Sequence, residues 1–137
     1  MIHSAEQFIA LRSSAERTDY QLAATEQATF QTWADVIARF PEMRTWVAQN
    51  KTVPLEILRI LAKDADRVVR GSVADKRKLD RELFESLSRD PDETVRQRIA
   101  YNKKTPADII ERLTSDESPL VSDAALRARQ TLLGSNQ

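Results

Sequence analysis

A register of 26 residues runs through most of this chain and constrains its fold more than any other feature. Val69-Arg70 recurs as Val95-Arg96, with Met43-Arg44 one period before and Val121-Ser122 one period after. Other columns keep the frame without a gap: Val47-Ala48, Val73-Ala74 and Ile99-Ala100; Asn50-Lys51 and Asn102-Lys103; Pro54 and Pro106; Leu61, Leu87 and Leu113; Asp64, Asp90 and Asp116. A fainter copy, offset by 25, puts Leu22-Ala23, Phe30, Trp33 and Val36 in the columns of Val47-Ala48, Leu55, Leu58 and Leu61. An ordinary helical bundle has no reason to repeat such a register, whereas stacked supersecondary units do.

Each repeat reads as two short helices. The first starts near Met43, Val69 or Val95, and its apolar columns fall on one face at about 100° per residue. The second carries Leu55-Ile57-Leu58-Leu61, Leu83-Phe84-Leu87 or Ile109-Ile110-Leu113, again a stripe at helical spacing. Local chemistry marks the starts. Asp66, Asp92 and Ser118 occupy the capping column of the first helix; Thr105 is expected to cap the second, with Pro106 at its first helical position. Glu56, Glu82 and Asp108 then suit the positive end of the helix dipole. Helices this short cannot bury an apolar face alone, so the pairs must stack. The expected fold is all-α: an α-solenoid of short helical pairs forming one domain over residues 1–133. Residues 1–16 form an N-terminal cap helix opened by Ser4 and Gln7 as a capping box, with Phe8, Ile9 and Leu11 behind it. Residues 17–42 are a degenerate repeat, 43–68, 69–94 and 95–120 are full repeats, and 121–133 are a C-terminal cap helix built on Val121, Ala125, Ala128 and Leu132. A tail, 134–137, follows.

Composition agrees with helices and removes most chemistry. Glycine occurs twice, cysteine never and histidine once, at His3. Thiol nucleophiles, Cys-ligated metals, glycine-rich phosphate loops and HExxH sites therefore cannot be written. Carboxylates show no pair beyond caps and exposed i,i+4 contacts such as Glu85/Arg89 and Asp108/Arg112, so no catalytic, metal or cofactor site is expected. Lys plus Arg and Asp plus Glu both total 21, which argues against whole-molecule attraction to nucleic acid or anionic membrane. No basic leader or membrane-length apolar run is present, so a cytoplasmic location is expected.

The run Val-Arg-x-x-Val-Ala-x-Asn-x-x-Thr-Pro, then a Leu-rich helix and Ala-x-Asp-x-Asp, spans Val47 to Asp66 and returns with substitutions over Val69 to Asp92 and Val95 to Asp116. It resembles the leucine-rich repeat variant and is similar to HEAT-like α-solenoids, well over Met43 to Ala128 and weakly before. That resemblance implies helical pairs in a right-handed superhelix, a right-handed α-solenoid, sometimes with a 3₁₀ first helix, a bacterial origin and a role in binding. Some relatives carry an iron–sulfur module, which a chain without cysteine should lack.

Arg44, Arg70 and Arg96 form a ladder between the buried columns. A partly buried guanidinium needs a carboxylate or carbonyl partner, and the expected partners are the preceding acids, Asp64/Asp66 and Asp90/Asp92. The turns within the pairs carry Lys51, then Lys76-Arg77-Lys78, then Lys103-Lys104, a basic edge opposite the acidic turns between pairs. Trp33 falls in a core column. Trp46, Arg98 and Tyr101 fall on outward columns, where a ring can anchor an interface or stack on a base. Two functions are expected to compete. The first is a non-enzymatic protein-interaction scaffold or inhibitor, for example an immunity-type partner of a bacterial toxin. The alternative is a nucleic-acid binder using the basic edge.

Overall fold

The computed structural model describes residues 1–135, and these are all-helical. The chain forms two compact units, Met1–Lys63 and Asp64–Gln137, divided within the 43–68 repeat. No helix among the described residues is long and apolar enough to cross a membrane.

The first unit contains α1 (Ala5–Ser13), α2 (Arg17–Thr25), α3 (Phe30–Arg39), a 3₁₀ turn (Pro41–Met43), α4 (Arg44–Gln49) and α5 (Leu55–Leu61). Ser4 caps α1 by accepting from the Gln7 N–H at 3.0 Å, and the Gln7 side chain accepts from the His3 N–H at 2.7 Å. The reciprocal half of the capping box thus lands one residue outside the cap. Helix α1 packs on α2 and α3, and α3, α4 and α5 pack on one another. Phe8 and Trp33 meet edge to face, with centroids 5.3 Å apart, and both are fully buried. The faint repeat is kept on its inward columns only. Ala23, Trp33 and Val36 are buried like their counterparts, but Leu22 and Phe30 are 40% and 45% exposed. Leu22 lies on the outer side of α2, and Phe30 is the first residue of α3, at the rim of the layer.

The second unit contains α6 (Arg67–Ala74), α7 (Arg81–Ser88), α8 (Glu93–Tyr101), α9 (Ala107–Leu113) and α10 (Pro119–Ser135). Helix α8 packs between α6 and α10, and α7 packs on α9, so the first and second helices of each pair fall in separate layers. The interior is Val69, Val73, Val95, Ile99 and Val121 from one layer, and Leu83, Phe84, Leu87, Ile109, Ile110 and Leu113 from the other. Each such side chain contributes about 1.5–3 kcal/mol on burial. These are the residues of the repeating apolar columns.

Helices α6 and α8 begin at Arg67 and Glu93, directly after the expected caps: Asp66 and Asp92 accept from the Val68 and Thr94 N–H groups at 2.8 Å. Two local expectations are corrected. Thr105 does not cap α9. Pro106 itself takes the cap position in an extended conformation, and the Thr105 hydroxyl turns back to donate to the Ile99 carbonyl of α8 at 2.6 Å. That carbonyl also accepts the Asn102 N–H at 3.2 Å, so the hydroxyl adds a second bond at the end of α8, where carbonyls lack a full helical partner. Finally, α10 does not stop before Gly134. It runs on to Ser135, since an exposed glycine with open space around it weakens a helix without breaking it. The last two residues of the expected tail lie outside the described residues.

Candidate binding surfaces

The arginine ladder forms, with different carboxylates from those expected. Arg70 donates from Nε and Nη2 to Asp90 at 2.8 and 3.1 Å, and Arg96 does the same to Asp116 at 3.0 and 3.2 Å. Both acids lie 20 residues after their arginine. The preceding acids supply only backbone: Nη1 of Arg70 donates to the Asp64 carbonyl at 2.8 Å and Nη1 of Arg96 to the Asp90 carbonyl at 2.7 Å. Their carboxylates are engaged elsewhere. Asp64, Asp90 and Asp116 each accept the N–H two residues on at 2.9 Å, an Asx turn made three times. Asp66 and Asp92 cap helices, as above. Arg44 donates from Nε to the Ile37 carbonyl at 3.0 Å.

These pairs are largely shielded from water, with 5–14% side-chain exposure across the four groups. Forked hydrogen bonds to Asp90 and Asp116 hold the Arg70 and Arg96 guanidinium groups still more firmly protonated than usual. Burial works to raise the Asp116 carboxyl, but hydrogen bonds from Arg96 and the Ser118 N–H outweigh it and hold the group below its ordinary value. A planar fork on a carboxylate fixes angle as well as distance, so the ladder sets how α6 and α8 meet the turn after the following helix.

Exposed charges follow the same cross-helix logic. Glu85 meets Arg89 at 3.6 Å as expected, but Asp108 and Arg112 do not pair with each other. Asp108 binds Arg81, 27 residues earlier, and Arg112 reaches Glu85 at 2.8 Å and the Ser88 hydroxyl at 3.0 Å. Neighbouring helices lie close enough to compete with the i,i+4 partner.

The basic turns of the second unit are brought together. The Asn102 amide donates to the Ala74 and Lys76 carbonyls at 2.8 and 2.7 Å, while its oxygen accepts the Lys104 N–H at 2.9 Å. This ties the α8–α9 turn to the α6–α7 turn and sets Lys103 and Lys104 beside Lys76, Arg77 and Lys78. Arg77, Lys78, Lys103 and Lys104 are exposed and make no ion pair among the described residues. Asn50 does the same work in the first unit, donating to the Ala23 and Glu26 carbonyls at 2.8 and 3.0 Å, next to exposed Lys51.

Arg98 and Tyr101 separate in role. Arg98 binds Asp75, and its side chain lies 3.3 Å from where a Cβ on Gly71 would stand. Its stem is a packing element between α6 and α8. Tyr101 is 55% exposed and borders a groove with Gln97, Leu120, Asp123 and Arg127.

Trp46 is 37% exposed and stands in an arrangement the repeat did not disclose. The Arg12 guanidinium of α1 lies 3.4 Å from the Trp46 ring centroid and 6.0 Å from that of Tyr20 on α2. Arg12 and Tyr20 sit outside the repeating columns, so no periodic signal marks them. Among the described residues no group of three or more His, Asp or Glu side chains could hold a metal ion. Comparison of the chain with protein-family models, curated proteins and solved structures gives no match.

Proposed function

We propose that this chain is a non-enzymatic interaction module, a scaffold or inhibitor, that binds an acidic protein surface. The observation that carries this reading is the cluster of four cations without ion pairs, Arg77, Lys78, Lys103 and Lys104, on two turns joined by Asn102. Most helix-borne arginines of the same unit are used up in ion pairs. A concentrated basic edge on a chain of zero formal net charge suits a specific acidic partner, whereas nucleic-acid domains carry a net positive charge. An immunity-type neutraliser of a toxin is one concrete form. With it we read the architecture as a right-handed α-solenoid similar to the leucine-rich repeat variant, supported by the Asx turn repeated at Asp64, Asp90 and Asp116 and by the twice-made arginine fork.

The test is copurification of the tagged chain with its partner from native cells, repeated with Arg77, Lys78, Lys103 and Lys104 all changed to Glu. Loss of the partner from a folded variant is expected, and undiminished capture would overturn the reading. Titration with DNA and RNA at ~50 mM salt is expected to show no binding; salt-sensitive binding there would replace the protein partner with a nucleic acid.

A further inference from the structure

Arg12 stands apart from the other partly buried arginines. Arg44, Arg70, Arg96 and Arg129 each hold an oxygen acceptor. Arg12 has no hydrogen bond or ion pair among the described residues, and its Nε is fully shielded without a partner. Nε itself is out of reach of any ligand, but the terminal nitrogens are not shielded in the same way and are equally without an acceptor, so they are the donors that a group from elsewhere can meet. One side of the guanidinium is already covered by Trp46 at 3.4 Å. The side chain therefore cannot hydrate as freely as an exposed arginine, while its in-plane donors keep the geometry that fits a carboxylate.

The surroundings give the acceptor a size and a class. Arg12, Tyr20, Ala23, Ala24, Trp46 and Gln49 line a cleft of about 170 Å³ between α1, α2 and α4. Pockets for drug-sized ligands run to roughly 300–1,000 Å³, so this one suits a single side chain. Arg12 is the sole charged residue in the lining, and no acid shares the cleft to neutralise it. Arg, Trp and Tyr are the residue types most enriched among the anchors of protein interfaces, and here all three meet in one depression.

We infer that this cleft receives one Asp or Glu side chain of a protein partner, its carboxylate accepting from the Arg12 guanidinium and its methylene groups resting on Ala23, Ala24 and Tyr20. The inference rests on the proposed acidic protein partner and assigns it a separate anchor point in the first unit.

The test is selection from a display library of short peptides against the full chain, with ¹H–¹⁵N spectra of the two tryptophan indoles as readout. Acidic peptides are expected that shift the Trp46 indole and leave the fully buried Trp33 indole in place. Their binding should fall by more than about tenfold when the peptide's key Glu becomes Gln, and similarly in Arg12→Gln. The peptide substitution needs no altered protein, so it decides the matter even where Arg12→Gln folds poorly. Peptides that bind equally well as Gln forms, or that never move Trp46, would overturn the cleft assignment. The interaction reading is judged separately: a native partner captured through the basic turns and held equally by Arg12→Gln would leave that reading intact and remove only the cleft.

Discussion

Arg70 closes a two-pronged hydrogen bond on Asp90, Nε to Oδ2 at 2.8 Å and Nη2 to Oδ1 at 3.1 Å, and the same carboxylate accepts the Asp92 N–H that starts the next helical pair. Arg96, Asp116 and Ser118 repeat the arrangement. One acid thus joins a side chain of one pair to the turn that opens the next. Removing either partner leaves a largely buried charge uncompensated.

Arg70→Ala and Arg96→Ala should each destabilise the second unit by about 3 kcal/mol, measured by urea unfolding. A double-mutant cycle with Asp90→Ala should return a coupling of at least about 1 kcal/mol. Additive losses would show that the fork does not carry the effect.

Acid should reveal the same contacts. The folded Asp116 carboxyl sits below its ordinary value of 3.8, so its contribution to stability is present above that value and is lost as pH falls through the lower folded value. Asp92, held at about 2 chiefly by the Thr94 hydroxyl, points the same way. Carboxyl titration by NMR should find both below their unfolded values, and Arg96→Ala should return Asp116 upward.

Asn102→Ala deletes two donors to the Ala74 and Lys76 carbonyls and an acceptor for the Lys104 N–H. A loss of about 2 kcal/mol is expected, with faster amide exchange concentrated in the two basic turns. Uniform acceleration across the unit would mean that Asn102 does not tie these turns in particular.

Gly71→Ala should be mildly stabilising, by about 0.5 kcal/mol, because a helix interior favours alanine. The added Cβ meets only the Arg98 stem at 3.3 Å, and that half-exposed chain has room to shift. Gly71→Leu should instead dislodge Arg98 from Asp75 and lower the melting temperature.

Trp33→Ala should cost about 3–5 kcal/mol through loss of the Phe8 contact and the cavity left behind. Trp33→Phe should cost far less, since it also removes a buried indole N–H that has no hydrogen-bond partner.

The amino-acid sequence by itself determined the helical class, the position of nearly every helix in the second unit, and its core. The 26-residue columns of Val, Leu and Asp are local and periodic, and the same residue in the same local frame turns to the interior each time: Val69, Val95 and Val121 are all buried. Asp66 and Asp92 were legible as caps for a similar reason, because a cap acts within three residues of itself. Only the tertiary structure decided which acid each arginine holds. Asp64 is nearer to Arg70 in sequence and makes the same Asx turn as Asp90, yet it offers Arg70 only its carbonyl, while the long guanidinium side chain reaches the Asp90 carboxylate across the packed helices. It also decided that Arg12, Tyr20 and Trp46, from three different helices, share one cleft. Periodicity reports which face of a helix turns inward; it carries no information on which surface side chains of separate helices come to lie together, because that depends on how the helices pack.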